Sequence, residues 1–395
     1  MSDMKFNHVL CCAFVSLSMA CSANPRPDSQ VNGDAVADGD SSLPPDYVPC
    51  TGAWREVERV EFSVSRTGSY AGRAMFHDGS LWTSIERSDN TGTGSYEPVL
   101  VRATGWGSSP SATVIPREQL SFARDRTRFV EGRDGAAFAH FVSLYALPSL
   151  AAVNLGVSSA IPSALVLRPQ ETLVLESSPM FTPRIKRYRA IPVDSMGTAE
   201  VLGTVELPTL PSSEARMFGS IRNSAVFIAA PSSRGADRWA IHTLDANLRL
   251  VGAPLELEPA LSWWNWVDGE FLHVERDGLW VVTTVAAPGG EQRFTVLRLA
   301  NDASVRTVVS RPAAELAMFQ HRQIAVRGDQ LALTRARMIG NEQYEGQLDV
   351  YDASTGALLQ TISDAHGVAF SNDSLFVVGA PLMGAPGTVR RYVCR

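Results

Sequence analysis

The stretch Gln323-Ile-Ala-Val-Arg-Gly-Asp-Gln-Leu-Ala-Leu-Thr334 predicts a β-hairpin. Two short apolar runs flank the dipeptide Gly328-Asp329, and a two-residue turn between β-rich runs is a strong local signal for antiparallel pairing. The second run is more apolar than the first, which is typical of a strand buried on both faces. This hairpin is the unit from which the rest of the fold is predicted.

The same unit recurs along the chain about every 49 residues. Seven copies occur, and their central dipeptides are Asp78-Gly79, Asp134-Gly135, Pro169-Gln170, Arg222-Asn223, Asp277-Gly278, Gly328-Asp329 and Asn372-Asp373. Units of this length are typical of four-stranded propeller blades, whose strands are lettered a to d from the inside outward. The sequence therefore predicts an all-β fold, a seven-bladed β-propeller over residues 50–395.

The two ends of this region complement each other. The seventh copy continues into a third strand at residues 388–393, and the chain then stops one strand short of a full blade. Residues 54–62 resemble a strand, yet they precede the first copy and have no blade of their own. We predict that this N-terminal strand supplies strand d of the last blade, which closes the ring and removes an exposed sheet edge.

Composition and charge exclude two classes of function. Hydrophobic residues make up 45% of the chain, which allows a large core, and the net charge of −6 opposes the electropositive surface that nucleic-acid binding requires. Only Lys5 and Lys186 are lysines, so Schiff-base chemistry would depend on Lys186 alone. We expect neither a nucleic-acid partner nor a lysine-based covalent mechanism.

The first residues are typical of an export signal. Val9 to Ala20 form an apolar run that is too short to span a bilayer as a mature helix but suits a signal peptide over residues 1–20. Ala20-Cys21 resembles the cleavage site of bacterial lipoproteins, which implies a lipid on Cys21 and a lipid-anchored place in the cell envelope. Ordinary secretion and a cytosolic chain with a buried N-terminal helix stay open as alternatives.

Residues 21–49 are predicted to form a disordered linker. The segment is rich in Pro, Gly and Asp and contains few side chains that could pack into a core. As a random coil, its residues 22–49 would average about 30 Å from end to end. The linker would therefore tether the folded region close to a lipid on Cys21.

Five cysteines are present, at positions 11, 12, 21, 50 and 394. Signal cleavage would remove the first two, and lipid attachment would consume the third. The remaining Cys50 and Cys394 lie at the two ends of the folded region, in a compartment where disulfides persist. We predict a Cys50–Cys394 disulfide in place of the missing c–d turn, with two free thiols as the alternative.

Two segments resemble known propeller repeats. Ser374-Leu-Phe-Val-Val-Gly-Ala-Pro381, followed by Gly387-Thr-Val-Arg-Arg-Tyr392, resembles the repeat of integrin-alpha-type propellers, and Tyr351 to Gln360 resembles that of quinoprotein-like propellers. The acidic calcium loop of the first family is reduced here to Asn372-Asp373, and the docking tryptophan of the second is replaced by Gln360. The resemblance therefore implies a lipoprotein with a propeller fold, and we expect no cofactor.

Searches for catalytic and metal-binding motifs identify no nucleophile elbow, zinc-protease motif or phosphate loop. The histidines are scattered through the chain, although some propeller enzymes gather one histidine per blade around the central channel. His321 and His366 precede inner strands and could face the top opening. Because histidines bonded to local backbone groups are commoner than metal ligands, we expect no metal site.

The most unusual stretch is Trp263-Trp264-Asn265-Trp266, which lies in the predicted connection from the fourth to the fifth blade. Such d–a connections form the top face of a propeller, where exposed aromatic rings could bind a sugar, a peptide or an apolar partner. The alternative is that these tryptophans are ordinary core between blades. The b–c loops predicted on the same face contain Arg87, Tyr96, Arg335 and Arg337 as further candidates.

These observations predict an exported, monomeric binding or scaffold module whose top face binds a protein, a peptide or a glycan. The predicted disulfide lies at the bottom, so a lipid on Cys21 would hold the bottom face toward the membrane. The alternative is a hydrolase or lyase, for example one acting on glycans, with an acid–base pair from different blades at the channel mouth.

Overall fold

The computed structural model describes residues 49–395 except for the segments 65–68, 89–95, 116–126, 133–134, 141–142, 148–151, 155–163, 169, 179–180, 190–199, 211–214, 220–222, 233–237, 258–271, 276, 287–288, 313–318, 341–342 and 380–384. The described residues form strands and their connections, and no helix occurs among them. Within these ranges, no helix is long and apolar enough to cross a membrane.

The strands form seven four-stranded antiparallel sheets. The first three contain β2 (Ser69–His77), β3 (Ser80–Ser88), β4 (Tyr96–Thr104) and β5 (Ser111–Ile115); β6 (Thr127–Gly132), β7 (Gly135–His140), β8 (Ser143–Leu147) and β9 (Ala152–Asn154); and β10 (Ala164–Leu167), β11 (Glu171–Ser178), β12 (Phe181–Arg189) and β13 (Val201–Glu206). Each of these sheets is a meander in which strands adjacent in the sequence are paired.

The next three sheets repeat this order. They contain β14 (Arg216–Phe218), β15 (Val226–Pro231), β16 (Trp239–Leu244) and β17 (Leu250–Leu257); β18 (Leu272–Glu275), β19 (Gly278–Ala286), β20 (Gln292–Ala300) and β21 (Val305–Pro312); and β22 (Phe319–Arg327), β23 (Gln330–Gly340), β24 (Gln343–Asp352) and β25 (Leu358–Ser363). The hairpin Gln323–Thr334, from which the fold was predicted, forms the paired strands β22 and β23.

The seventh sheet is closed by the beginning of the folded region. Its order is β1 (Trp54–Phe62), β28 (Gly387–Cys394), β27 (Ser374–Gly379) and β26 (Gly367–Phe370). β1 pairs antiparallel with β28, from Trp54 opposite Cys394 to Phe62 opposite Gly387. A disulfide joins Cys50 to Cys394, whose Cα atoms lie 5.5 Å apart. Both the N-terminal strand d and the disulfide are confirmed.

The innermost strands of the seven sheets contact one another in a cycle. β2 contacts β6, and the contacts continue through β10, β14, β18, β22 and β26 back to β2. This arrangement, in which four-stranded sheets follow one another around a common centre, is a β-propeller architecture.

The apolar cores lie between neighbouring sheets. In β23, Leu331 and Leu333 pack in the cluster shared with the fifth sheet, whereas Ala332 belongs to the cluster shared with the seventh. Both faces of this strand are therefore buried, which explains why its sequence is continuously apolar rather than alternating.

Near the centre, Gln323 links three inner strands. Its Nε2 donates to Ala74 O at 2.8 Å, and its Oε1 accepts the N–H groups of Ala74 at 3.1 Å and Val368 at 3.0 Å. Ala74 lies in β2 and Val368 in β26, so a single side chain in β22 satisfies backbone groups of the two sheets that follow it around the centre. The hydrogen bonds fix where the last sheet meets the first.

Candidate functional site

The strand directions define two faces of the molecule. The a–b turns and the c–d turns lie at one end of every sheet, which we call the bottom face, and the opposite ends form the top face. Cys394 ends β28 next to the start of β27, so the disulfide lies at the bottom face as predicted. Candidate binding residues are therefore sought at the top.

The predicted aromatic stretch cannot be placed. Trp263, Trp264, Asn265 and Trp266 all lie outside the described residues, so the platform that they were expected to form stays a prediction.

Arg87, Tyr96, Arg335 and Arg337 lie in strands, which corrects their assignment to loops, and His321, predicted to precede an inner strand, lies within one. Arg87 is the last residue but one of β3 and Tyr96 begins β4, in neighbouring pairs of the same ladder at the top of the first sheet. His321 lies in β22 directly opposite Arg335 in β23, and Arg337 pairs with Phe319 one turn of the ladder higher. The strands extend beyond their apolar residues because the polar ends still pair through their backbones. Antiparallel pairing thereby brings the candidates of each sheet together.

Arg335 lies in the middle of the sixth sheet and is mostly buried, which also corrects its expected place in a surface loop. Its Nε lies 3.0 Å from Asp349 Oδ2, and the two side chains are 12% and 1% exposed. Thr361 donates to Asp349 Oδ1 at 2.7 Å, and the Tyr351 hydroxyl lies 3.3 Å from Oδ2. Arg335 therefore neutralises a buried carboxylate.

Tyr351 completes this cluster between the fifth and sixth sheets. Burial, reinforced by the charge of Asp349, raises the pKa of Tyr351 to about 12, although Arg311 of β21 acts in the opposite direction. The hydroxyl is thus protonated at neutral pH and remains a hydrogen-bond donor to Asp349. The arrangement stabilises two adjacent sheets; it does not place an acid or base in the open centre.

His366 lies at the top, in the connection from β25 to β26, and only 1% of it is exposed. Its backbone N–H donates to Val378 O at 2.7 Å. A Cβ added to Gly346 in β24 would lie 2.6 Å from His366 Nε2 and 2.5 Å from Ala365 O, so only glycine fits beneath the ring. His366 packs between the sixth and seventh sheets, whereas Arg335 faces the fifth. The structure therefore does not bring these two candidates together.

Sequence reasoning missed the charged pair beside His366. Asp364 has a φ of 52°, and Arg390 of β28 donates through Nη2 to Ser363 O at 2.9 Å and to Asp364 O. The Arg390 Nη2 atom also lies 4.0 Å from Asp364 Oδ2. Partial burial raises the pKa of Asp364, while the charges of Arg390 and Arg59 lower it. Arg390 and Asp364 are separated by 26 residues, so no local sequence pattern indicates that they are in contact.

The bottom face has a different organisation, because several of the described sheets reach the turns of the next. Arg168 donates to Ser224 O at 2.7 Å and to Ala246 O at 2.9 Å, which links the third sheet to the fourth. Arg306 of β21 donates to Ala353 O in the c–d turn of the sixth sheet at 3.0 Å. The bottom turns thus hold neighbouring sheets together.

The same relation extends across the closure. Trp54, at the bottom of β1, is bonded through its indole N–H to Gln330 at 3.0 Å, and its backbone exchanges two hydrogen bonds with the Gln360 side chain of the sixth sheet. Glu58 of β1 accepts the N–H of Gly107, in the c–d turn of the first sheet, at 2.7 Å. The bottom links therefore run from the third sheet through the closing strand to the first.

No group of three or more potential metal ligands occurs among the described residues. One acid–base pair lies in an inner strand, where His273 Nε2 is 2.8 Å from Glu275 Oε1. Glu275 begins the a–b turn of the fifth sheet, so the pair lies toward the bottom face and away from the top opening.

Comparison with known proteins gives matches among solved structures only, since no family model and no curated protein matches the sequence. An acylaminoacyl peptidase of Pyrococcus horikoshii is 11% identical, with a TM-score of 0.44 over 78% of this chain and 49% of the peptidase. The β-propeller domain of the Trilobed protease from Pyrococcus furiosus is 8% identical, with a TM-score of 0.44 over 83% and 96%. A phage phi92 endosialidase is 9% identical, with a TM-score of 0.36 over 85% and 68%.

This chain thus spans about half the length of the first of these peptidases. Such identities concern the overall architecture alone, and residues of the neighbours are not transferred to this chain.

Proposed function

We propose that this chain is an exported, seven-bladed β-propeller that is anchored to the bacterial cell envelope through Cys21 and binds a protein, peptide or glycan partner through its top face. The difference between the two faces carries the proposal. Bottom-face arginines such as Arg168 and Arg306 are bonded to the turns of neighbouring sheets. These polar side chains are engaged in contacts between sheets, which leaves the recognition of a protein, peptide or glycan to the top.

The top face offers a different set of residues. Arg87, Tyr96, His321 and Arg337 lie at or near the top ends of their strands, in two clusters set by the register of β3 with β4 and of β22 with β23. Arginine and tyrosine are enriched in the energetically important parts of protein interfaces. These residues, with Trp263 and Trp264 from the connection above the fourth sheet, form the proposed binding surface.

The orientation follows from the closure. The disulfide and the start of β1 lie at the bottom, so residues 21–49 join the folded region at that face. A lipid on Cys21 would hold the bottom toward the membrane and direct the top outward. A hydrolase or lyase at the channel mouth is the competing function, and no described acid–base pair at the top favours it.

Site-specific photo-crosslinking in the producing cell tests the binding surface. A photoreactive phenylalanine analogue replaces Tyr96 or Arg337 at the top and, as the matched control, Arg249 at the bottom. We expect adducts from the two top positions and none from position 249. Adducts from position 249 alone would assign binding to the bottom face and contradict the proposal.

Membrane attachment has a separate test. The mass of the N-terminal peptide of the exported protein should show a diacylglyceryl group on Cys21, and Cys21→Ser should remove that mass and reduce the share of the chain in the membrane fraction. An unmodified N-terminus that follows cleavage at Ala20 would assign the chain to ordinary secretion instead.

A further inference from the structure

Exposed aliphatic side chains are concentrated at one place in the fold. Among the residues whose side chains the structure describes, every exposed large hydrophobic side chain lies within the first four residues of an outermost strand. These strands begin at the bottom face, so we call this set the bottom rim: Val57, Val201, Leu202, Leu250, Val305, Leu358 and Leu359, with exposed fractions from 37% to 55%.

The bottom rim extends over neighbouring sheets. Its members belong to the outermost strands β13, β17, β21, β25 and β1, which are those of the third to the seventh sheet. In β17, β21 and β25 the first residue after the c–d turn is the exposed aliphatic one, namely Leu250, Val305 and Leu358. Single exposed leucines are common on protein surfaces, whereas these residues recur at the same end of successive outermost strands, which favours a common interaction surface.

The start of the folded chain lies near this surface. Residue 49 enters beside the disulfide, at the same end of the molecule as the bottom rim. The preceding residues include the apolar run from Val9 to Ala20, Cys21, and the predicted linker, which as a coil would average about 30 Å from end to end. A membrane that binds these N-terminal residues would therefore lie close enough for the bottom rim to contact it.

We propose that the bottom rim inserts shallowly into the surface of a lipid bilayer, an inference that rests on the membrane attachment proposed above. Arginines stand beside two of its members in the sequence: Arg249 precedes Leu250 and is exposed, and Arg306, which also donates to Ala353 O, follows Val305. Aliphatic side chains flanked by arginines suit the boundary between lipid tails and headgroups. The rim thereby sets the tilt of the molecule, which a flexible tether alone leaves free.

The charges of the turns decide which lipid suits this surface. The carboxylate of Asp245 accepts the N–H groups of Asn247 at 2.8 Å and of Arg249 at 2.9 Å, and Asp302 caps its turn in the same way. These carboxylates are fixed beside the aliphatic residues, and their charge offsets that of the arginines. A zwitterionic phosphatidylcholine surface is therefore expected to bind as well as an anionic one.

A local fluorescence measurement tests the contact. The full chain is prepared with Cys11, Cys12 and Cys21 replaced by serine, so that one introduced thiol is free whatever the processing of the N-terminus. Leu358→Cys reports on the rim, and Thr307→Cys, exposed in the interior of β21, is the matched control. Each thiol carries a polarity-sensitive fluorophore, and phosphatidylcholine vesicles are added.

We expect a blue shift of the emission at position 358 and none at position 307. Adding Leu250→Ser and Val305→Ser to the Leu358→Cys chain should weaken vesicle binding by at least tenfold, with unchanged thermal unfolding. No shift at position 358 in vesicle-bound protein overturns the proposal, and so does a shift that appears with protein concentration in the absence of vesicles, since that indicates a second copy of the chain. The mass of the N-terminal peptide decides lipid attachment independently of these results.

Discussion

At the bottom face Arg168 and Arg306 each reach a turn of the next sheet, whereas at the top face Arg87 and Arg337 lie near the ends of the second strands of their sheets. Bottom contacts of this kind link the third sheet to the fourth and the fifth to the sixth. The top connections differ in length and composition from one sheet to the next. Repetition indicates a structural role, and variation leaves room for recognition.

The closing disulfide should show the largest effect of the bottom face. Cys50→Ser with Cys394→Ser is expected to lower the free energy of unfolding by about 2–5 kcal/mol, below the roughly 6 kcal/mol that chain entropy alone gives for a 344-residue separation. Denaturant titration measures the loss. Phe62→Leu, at the top end of the same strand pair, is the control and should cost less than about 1.5 kcal/mol. A larger loss of stability from Phe62→Leu than from removal of the disulfide would contradict the greater structural role of the bottom end.

Arg335 sharpens the comparison between structural and exposed arginines. The sequence assigned it to the top face, but in the structure it contacts the buried carboxylate of Asp349. Arg335→Met leaves the carboxylate of Asp349 buried without its cation, which should cost about 3–5 kcal/mol. Adding Asp349→Leu should recover most of that loss, since the charge and its partner are then both absent. Arg337→Met, closer to the top end, should change the free energy of unfolding by less than about 0.5 kcal/mol. Equal losses for Arg335→Met and Arg337→Met would contradict this distinction.

Two aspartates should give opposite pH dependences on the two faces. Hydrogen bonds from Ser354 and Thr355 lower the pKa of Asp352, at a bottom turn, to about 2. The ionised carboxylate therefore contributes to stability above its ordinary pKa, and this contribution is lost as the pH falls from the ordinary pKa to the lowered one. Burial raises the pKa of Asp364 at the top, so its contribution is present at low pH and is lost as the pH rises through the raised value.

Chemical unfolding at pH 2 to pH 7 measures both effects. Asp352→Asn should reduce the gain in stability that the protein shows as the pH rises from 2 to 5. Asp364→Asn should increase stability at pH 7 relative to the unsubstituted chain. Changes of the same sign for both variants would show that the two carboxylates do not differ in this way.

The sequence predicted the hairpins well because each turn is local and is flanked by runs buried on both faces. It also predicted the Cys50–Cys394 disulfide, since the closing strand and the cysteines led to the same pairing. The ends of the strands were wrong: Arg87 and Arg335 lie in strands, because backbone pairing continues past the last apolar residue. The contact between Arg335 and Asp349 depends on the register of β23 with β24, which composition does not specify.

The central claim, that Arg168 at the bottom face holds neighbouring sheets together and that Arg87 and Arg337 at the top face do not, is tested most directly by one set of unfolding measurements. Arg168→Ala should lower the free energy of unfolding by about 1.5–3 kcal/mol, because two carbonyl groups of the fourth sheet lose a charged donor. Arg87→Ala and Arg337→Ala should each change it by less than about 0.5 kcal/mol. Losses of similar size at all three positions would contradict the claim.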